Sequence, residues 1–518
     1  MAQAEHVRTV FDLLEKVSPA QLDREAVYDR KRRLTYRQLQ EEVNQLADAL
    51  LKAGIKPNDR VGVCLPNWHE TVLLFFAASK IGATLVPFNP KYRLTEVEFI
   101  INNSDLSILF TNEELVNNVG WDLITRHVPQ VVTVRFEREG HLDMQRFLAT
   151  GTKGIVVEPA QVDPDEDLFC VLYTSGTTGV PKGVMLSHTN IVRSTINMTE
   201  FMQGRSSDVF LIAAPIYHIF GMLVNLFAAI LSEAKFVLMD AFKPGEALAL
   251  IEQEKVTVHH GVATMYILEL NHPDFDKYDL SSLRIGITGG APCSPETAMA
   301  VIEKMGMDFC IGYGISEANS LTNTPVGNRD PEVFKTLGTP LKGVEIRIVD
   351  DERNPLPANE VGEIAVRSHG VMKGYLNNPE ETRKVLDEEG WFYTGDLGKL
   401  DDNGNLHFVG RKKEMIIRGG FNVYPIEVEN CLLKHPSVVN AAVFGIPDPV
   451  HGEQVCAAIK LKEGSNINEE DLKTYLKQYL TPYKVPAKYF FVEDFPMTPS
   501  GKIQKQKLQE QFSAQSER

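Results

Sequence analysis

The residues best suited to chemistry lie close together, in Tyr173-Thr174-Ser175-Gly176-Thr177-Thr178-Gly179-Val180-Pro181-Lys182-Gly183. Gly176 and Gly179 let backbone N–H groups crowd around an anion with no Cβ in the way. Thr174, Ser175, Thr177 and Thr178 add hydroxyl donors, and Lys182 adds a charge able to reach a triphosphate. A plain Gly/Thr turn between strands needs neither that density of donors nor a terminal lysine. The stretch is not a Walker A loop, because Pro181 stands where that pattern needs glycine and no Ser or Thr follows Lys182. It is not a hydrolase nucleophile elbow either, since Tyr173 replaces the first required glycine. What remains is a phosphate-gripping loop of another kind.

This loop resembles the signature of the adenylate-forming superfamily: acyl-CoA synthetases, luciferases and the adenylation domains of peptide synthetases. Four more stretches follow in that family's order: Gly312-Tyr313-Gly314-Ile315-Ser316-Glu317, Tyr393-Thr394-Gly395-Asp396, Gly410-Arg411 and Pro499-Ser500-Gly501-Lys502. Five elements over most of the chain make the resemblance specific, closest to bacterial fatty-acid–CoA ligases. It implies a two-step ligase, in which ATP and a carboxylic acid give an acyl-adenylate and pyrophosphate, and coenzyme A then displaces AMP.

Site residues follow from the same resemblance. Thr174 to Gly179 and Lys182 hold the phosphates, and Gly290, Ala291 and Pro292 lie along the adenine. Gly312, Tyr313 and Gly314 pack on the purine, Ser316 bonds the α-phosphate, and Glu317 holds Mg²⁺. Asp396 accepts from the ribose hydroxyls with Arg411 beside it, and Lys502 bridges carboxylate and phosphate oxygens. His218, Gly221, Met222 and Gly289 line the acyl pocket, with His218 a catalytic candidate. Lys413 is the pivot of a small domain that turns between the two steps, and Gly419 and Gly420 in Arg418–Asn422 line the thiol channel. The family usually has a polar residue at Ile311 and threonine at Ser316; the serine keeps the hydroxyl.

The elements that must position these groups read as α/β. An apolar run, Leu168 to Leu172, leads into the phosphate loop as a buried strand. Thr35 and Gln38 form a capping box, after which Leu39, Val43, Leu46, Ala47 and Leu50 mark the inward face of a helix. Val61 to Leu65 and Ala83 to Pro87 read as strands around a helix from Glu70 to Lys80, which predicts βαβ units and a mainly parallel sheet. Glu139 to Pro164 reads as an irregular surface connection. Leu283 to Thr288 reads as a strand that ends in Gly289-Gly290-Ala291-Pro292. The expected division is a large domain over 1–411, in subregions of about 1–170, 170–340 and a β-rich 340–411, followed by a small mobile α/β domain over 412–518. In the latter, Val438 to Val443 and Val455 to Leu461 read as strands. Asn468 caps a helix whose Leu472, Tyr475, Leu476, Tyr479 and Leu480 face a sheet.

Bulk properties bound the partners. A chain of 518 residues is too long for one core. The net charge of −16 makes a nucleic-acid backbone an improbable partner, so an anionic substrate must meet local donors. The six cysteines lack C-x-x-C spacing and read as reduced core residues, and the thirteen histidines form no metal-ligand pattern. Met1 to Arg24 is polar and mixed in charge, with no signal-peptide character, so a cytoplasmic location is expected. Leu211 to Leu231 is long enough to span a bilayer, but Pro215, His218, Gly221 and Asn225 interrupt it, and a buried helix is the reading adopted.

The helix from His218 offers Gly221, Met222, Leu226 and Phe227, which suit a medium- or long-chain apolar acid or an aryl acid. No charged residue there is placed to receive an amino group. Three alternatives stay open at this point: an amide ligase that passes the acyl group to an amine, a luciferase-like oxygenation, and an inactive binding protein on the same fold. Lys182, Glu317, Asp396 and Lys502 speak against the last.

Overall fold

A computed structural model describes residues 6–174, 181–465, 467–497 and 503–516, with backbone alone over 514–516. The chain is mixed α/β and divides into two compact units. One comprises Met1–Glu345 with Val366–Phe392, the other Ile346–Ala365 with Tyr393–Arg518.

The first unit is built on two sheets. One runs in the order Gly374–Tyr375, Lys182–Ser187, Leu168–Thr174, Thr84–Pro87, Arg60–Cys64, Ile108–Thr111, Val131–Thr133, Leu142–Asp143. From Leu168–Thr174 to Leu142–Asp143 its neighbours pair in parallel. The apolar runs Val61–Cys64 and Thr84–Pro87 are buried on both faces, as a sheet covered by helices requires. The Thr35/Gln38 capping box forms as expected, and its helix Tyr36–Lys52 buries Leu39, Val43, Leu46, Ala47 and Leu50. Every residue of the helix His69–Lys80 is buried except Glu70, and Phe75 and Phe76 meet the edge of Phe227. Each such side chain contributes roughly 1.5–3 kcal/mol by leaving water. The second sheet has Val209–Ile212, Val258–His260, Ile285–Thr288 and Asp308–Ile315 in parallel at its centre.

The other unit holds most of the sheet Val344–Val349, Gly362–Ser368, Phe392–Leu400, Leu406–Arg411, and a second sheet around the long hairpin Val438–Asp448 and Gly452–Leu461. The helix Glu469–Leu476 packs Leu472 and Leu476 into the core of that second sheet.

Three expectations change. The run Leu211 to Leu231 is not one helix: Val209–Ile212 is a strand, and helical structure starts only near Phe220. Leu211 pairs with Val237 and His259, and Pro215 then prevents continuation in either form. The helix after Asn468 ends at Leu476, so Tyr479 lies beyond it and is exposed. Glu139 to Pro164 is not wholly irregular, because Asp143 caps a helix over Met144–Thr150 through the N–H groups of Gln145 and Arg146. All six cysteines are free, five of them buried and Cys293 partly so. Among the described residues, no helix is long and apolar enough to cross a membrane.

Candidate active site

The phosphate stretch is framed as a hairpin. Leu168–Thr174 pairs antiparallel with Lys182–Ser187, which sets Thr174 opposite Lys182 and Tyr173 opposite Gly183. Ser175, Gly176, Thr177, Thr178 and Gly179, assigned to the phosphates, lie outside the described residues, as does Lys502. The frame itself is firm. Tyr173 donates to Asn103 Oδ1 at 2.7 Å, and a Cβ on Gly183 would sit 3.0–3.3 Å from Val171, Tyr173 and Leu376.

Lys182 begins the returning strand with its ammonium group partly covered. Its Nζ donates to Glu381 Oε2 at 2.7 Å and lies 4.9 Å from the centre of the Tyr375 ring. The ion pair with Lys182, and after it the one with Lys384, hold the Glu381 carboxyl down at about 2. The Tyr375 hydroxyl donates to Glu317 Oε1 at 3.2 Å. Glu317 is therefore joined to Lys182 through a single tyrosine. Sequence reasoning missed both Tyr375 and Glu381.

The glycine motifs converge where backbones come close. Ile285–Thr288 ends at the turn Gly289–Pro292, and Gly290 has φ +77° there, a value that favours glycine. A Cβ on Gly289 would lie 3.2 Å from the Gly312 carbonyl and 3.7 Å from the Phe220 ring. Gly290, Ala291 and Pro292 are exposed, which leaves a surface for a flat ligand. Gly312, Tyr313 and Gly314 belong to Asp308–Ile315, which returns through Ser316 and Glu317 into Asn319–Asn323. Gly312 and Gly314 leave no room for a side chain: Asn323 Oδ1 would be 2.5 Å from one Cβ and the Asn319 carbonyl 2.4 Å from the other.

His218 lies in a bend just ahead of the helical segment, partly buried, with its ring 5.0 Å from that of Tyr217. Phe220–Phe227 is wound as a π-helix, a rare form frequent at functional sites, and continues as the α-helix Ala228–Leu231. A Cβ on Gly221 would meet the Pro215 carbonyl at 2.1 Å, so only glycine permits this entry. Met222 is fully buried, as are Leu226 and Phe227.

The other unit carries the remaining assignments. Asp396 is buried and pairs in register with Arg411, whose Nε is 3.5 Å from Asp396 Oδ1. Lys413 lies in the 3₁₀ turn Lys412–Glu414. On its two sides, Lys412 pairs with Asp351 at 2.9 Å and Glu363 at 3.0 Å, and Glu414 pairs with Lys505 at 3.2 Å. Gly419 and Gly420, at φ +58° and +82°, turn Ile416–Arg418 into Phe421–Val423. Arg418 anchors that hairpin by donating to the carbonyls of Tyr483 and Val485.

A single carboxylate offered by Glu317 fits Mg²⁺, which keeps several waters and binds through one or two carboxylates together with phosphate oxygens. Tyr375 donates to Oε1, which orients the carboxylate.

The chain is similar to known proteins over most of its length. Residues 14–376 match the family model described as AMP-binding enzyme, and residues 427–502 match the AMP-binding enzyme C-terminal domain. The chain is 32% identical over 539 residues to the mitochondrial medium-chain acyl-CoA ligase ACSF2 of Homo sapiens, covering 98% of this chain and 88% of that protein. ATP-bound MatB from Rhodopseudomonas palustris superposes with a TM-score of 0.89 at 30% identity, covering 98% of this chain and 99% of the other. The amide bond synthetase McbA from Marinactinospora thermotolerans superposes with a TM-score of 0.88 at 31% identity, covering 97% and 99%.

Proposed function

We propose, from the premise that this chain belongs to the AMP-binding enzyme family and is an acyl-CoA synthetase-type ligase, that it activates a medium- or long-chain apolar carboxylic acid for transfer to coenzyme A. The observation that carries the reading is the convergence of Lys182 and Glu317 on Tyr375.

In the first step a carboxylate oxygen attacks the α-phosphorus of ATP, and the bond to the bridging oxygen breaks to release pyrophosphate. Lys182, with the donors at 174–179, grips the departing phosphates. Ser316 bonds the α-phosphate. Asp396 holds the ribose, and Lys502 meets the charge that develops between carboxylate and phosphorus. Positioning and charge stabilisation are the protein's whole contribution. Mg²⁺ held at Glu317 would neutralise phosphate charge. In the second step the thiol sulfur attacks the acyl carbonyl and the acyl–phosphate C–O bond breaks, so AMP leaves and the thiol proton passes to solvent. We place the functional division at 411/412, with residues 412–518 turning about Lys413 so that Gly419 and Gly420 replace Lys502 at the acyl group.

The apolar acid is supported by the uncharged, apolar character of the helical segment after His218, which opens with Phe220, Gly221 and Met222. A second reading, amide formation, draws support from the likeness to McbA. Pyrophosphate release measured across a carboxylic-acid panel, with CoA, with amines or with neither, separates the two. CoA-dependent turnover on C8–C16 acids is expected. Turnover with amines alone would give the reaction to the amide ligase.

A further inference from the structure

Tyr375 is buried, polar and outside every motif named above, yet it touches both charged ends of the phosphate machinery. Its backbone is clamped from several directions. Gly374–Tyr375 pairs antiparallel with the strand that starts at Lys182, with Tyr375 opposite Val184. On either side, the Leu376 N–H donates to the Gly183 carbonyl at 2.7 Å and the Lys373 N–H to the Met185 carbonyl at 2.9 Å. The Tyr375 N–H itself donates to Thr382 Oγ1 at 2.9 Å. The same segment also fixes the main chain of Glu317, whose carbonyl accepts from the Met372 N–H at 2.8 Å.

Such a ring moves little, so whatever it contacts is held with it. Its hydroxyl donates to Glu317 Oε1 at 3.2 Å, and its face receives the Lys182 ammonium at 4.9 Å. We propose that Tyr375 is a positioning residue that holds the Glu317 carboxylate and the Lys182 ammonium in one fixed relation for the β- and γ-phosphates of ATP, an inference that rests on Glu317 as the Mg²⁺ ligand. Each contact does a different part. The hydroxyl holds one carboxylate oxygen and restricts rotation of the carboxylate. The ring supplies a negative face to a cation that also pairs with Glu381.

Tyr375→Phe separates this role from packing, because it keeps the ring and removes only the hydroxyl. A hydrogen bond to a charged group is worth enough that the Mg²⁺ concentration for half-maximal ATP–pyrophosphate exchange should rise about fivefold to tenfold. The KM for ATP at saturating Mg²⁺ should stay within about twofold, since the ring still faces Lys182. In Tyr375→Leu both quantities should rise. Thermal unfolding checks that each variant is folded, and Mg²⁺-dependent ATP binding by calorimetry gives a readout independent of turnover.

Glu317→Gln, alone and combined with Tyr375→Phe, tells the two ideas apart. If Tyr375 acts through Glu317, the double variant requires no more Mg²⁺ than Glu317→Gln alone, since the effects of groups that act as a unit are not additive. A shift in Glu317→Gln with none in Tyr375→Phe overturns the positioning role and leaves the metal assignment standing. No shift in Glu317→Gln removes the metal assignment itself. Fully additive effects would make Tyr375 an independent packing residue.

Discussion

At the scale of single residues, the proposed phosphate chemistry depends on whether Lys182 is available. Its ammonium is 2.7 Å from Glu381 Oε2, so a triphosphate must compete with a carboxylate for it. The pair is partly exposed, and such pairs are worth at most about 1 kcal/mol. Glu381→Gln should therefore lower the KM for ATP by about twofold to fivefold, with kcat little changed. Glu381 is held at about 2 by Lys182 and then Lys384, so it is ionised throughout the range from pH 5 to 8. The difference between variant and parent should accordingly be flat over that range. An unchanged or higher KM in the variant would show that Glu381 does not compete with ATP for Lys182. Lys182 could be read from the sequence because it ends a dense run of donors. Glu381 could not, since it reads as one of two acids in the first turn of the helix Pro379–Val385, where carboxylates are expected in any case. Nothing local says that its partner lies 199 positions earlier.

At the scale of elements, the framework was more legible than the path between its parts. Buried strands and capped helices carry their cause in the local pattern, as Thr35/Gln38 and the runs at 61–64 and 84–87 show. The run after Leu211 did not, because an unbroken apolar stretch suits a buried strand and a buried helix equally. Tertiary pairing with Val237 and His259 decided the first part, and the π-wound turn at Phe220 has no local signature. The hairpin that frames Lys182 runs directly into the helix His188–Phe201, capped by Ser187. His188 is buried at its start, and its Nδ1 accepts from the Val10 N–H at 3.1 Å. Burial lowers its ionisation to about 4, with Asp12 opposing weakly. The unfolded chain thus binds a proton near 6.5 that the folded chain refuses until about 4, so stability is full above that window and falls as pH drops through it. The shift corresponds to roughly 3 kcal/mol at most. His188→Asn keeps an acceptor for Val10 and should flatten the loss of urea-unfolding stability between pH 6.5 and 4. Some slope will remain, because the buried His260 is lowered to about 3 as well. An identical acid slope in the variant would remove His188 from this role.

At the scale of the whole molecule, the proposed mechanism asks one small domain to present two surfaces to one acyl group, Lys502 in the first step and Gly419–Gly420 in the second. The resemblance points to Lys413 as the place where the chain turns, and the 3₁₀ turn Lys412–Glu414 has the geometry to concentrate the change in few torsions. The residues on its two sides are tied to different places: Lys412 to Asp351 and Glu363 of the preceding β-rich part, Glu414 to Lys505, three positions after Lys502 in the sequence. Lys505 also pairs with Glu429 at 2.7 Å, so Glu414 and the segment after Lys502 share an anchor. A turn at Lys413 would let each side keep its own ion pairs, whereas a turn outside this segment would have to break one set. Proline at 413 fixes φ near −65°, a value a 3₁₀ turn accepts, and it disfavours helical torsions at Lys412, which the two ion pairs oppose. Lys413→Pro should therefore keep ATP–pyrophosphate exchange within about threefold while thioester formation from supplied acyl-adenylate slows at least about tenfold, as expected when a conformational step becomes limiting. Circular dichroism and thermal unfolding must first match the parent, since a misfolded small domain would abolish both steps. A folded variant with full CoA-dependent turnover would move the pivot away from Lys413. Equal loss in both half-reactions would show that the turn supports the adenylating arrangement itself rather than the passage between two.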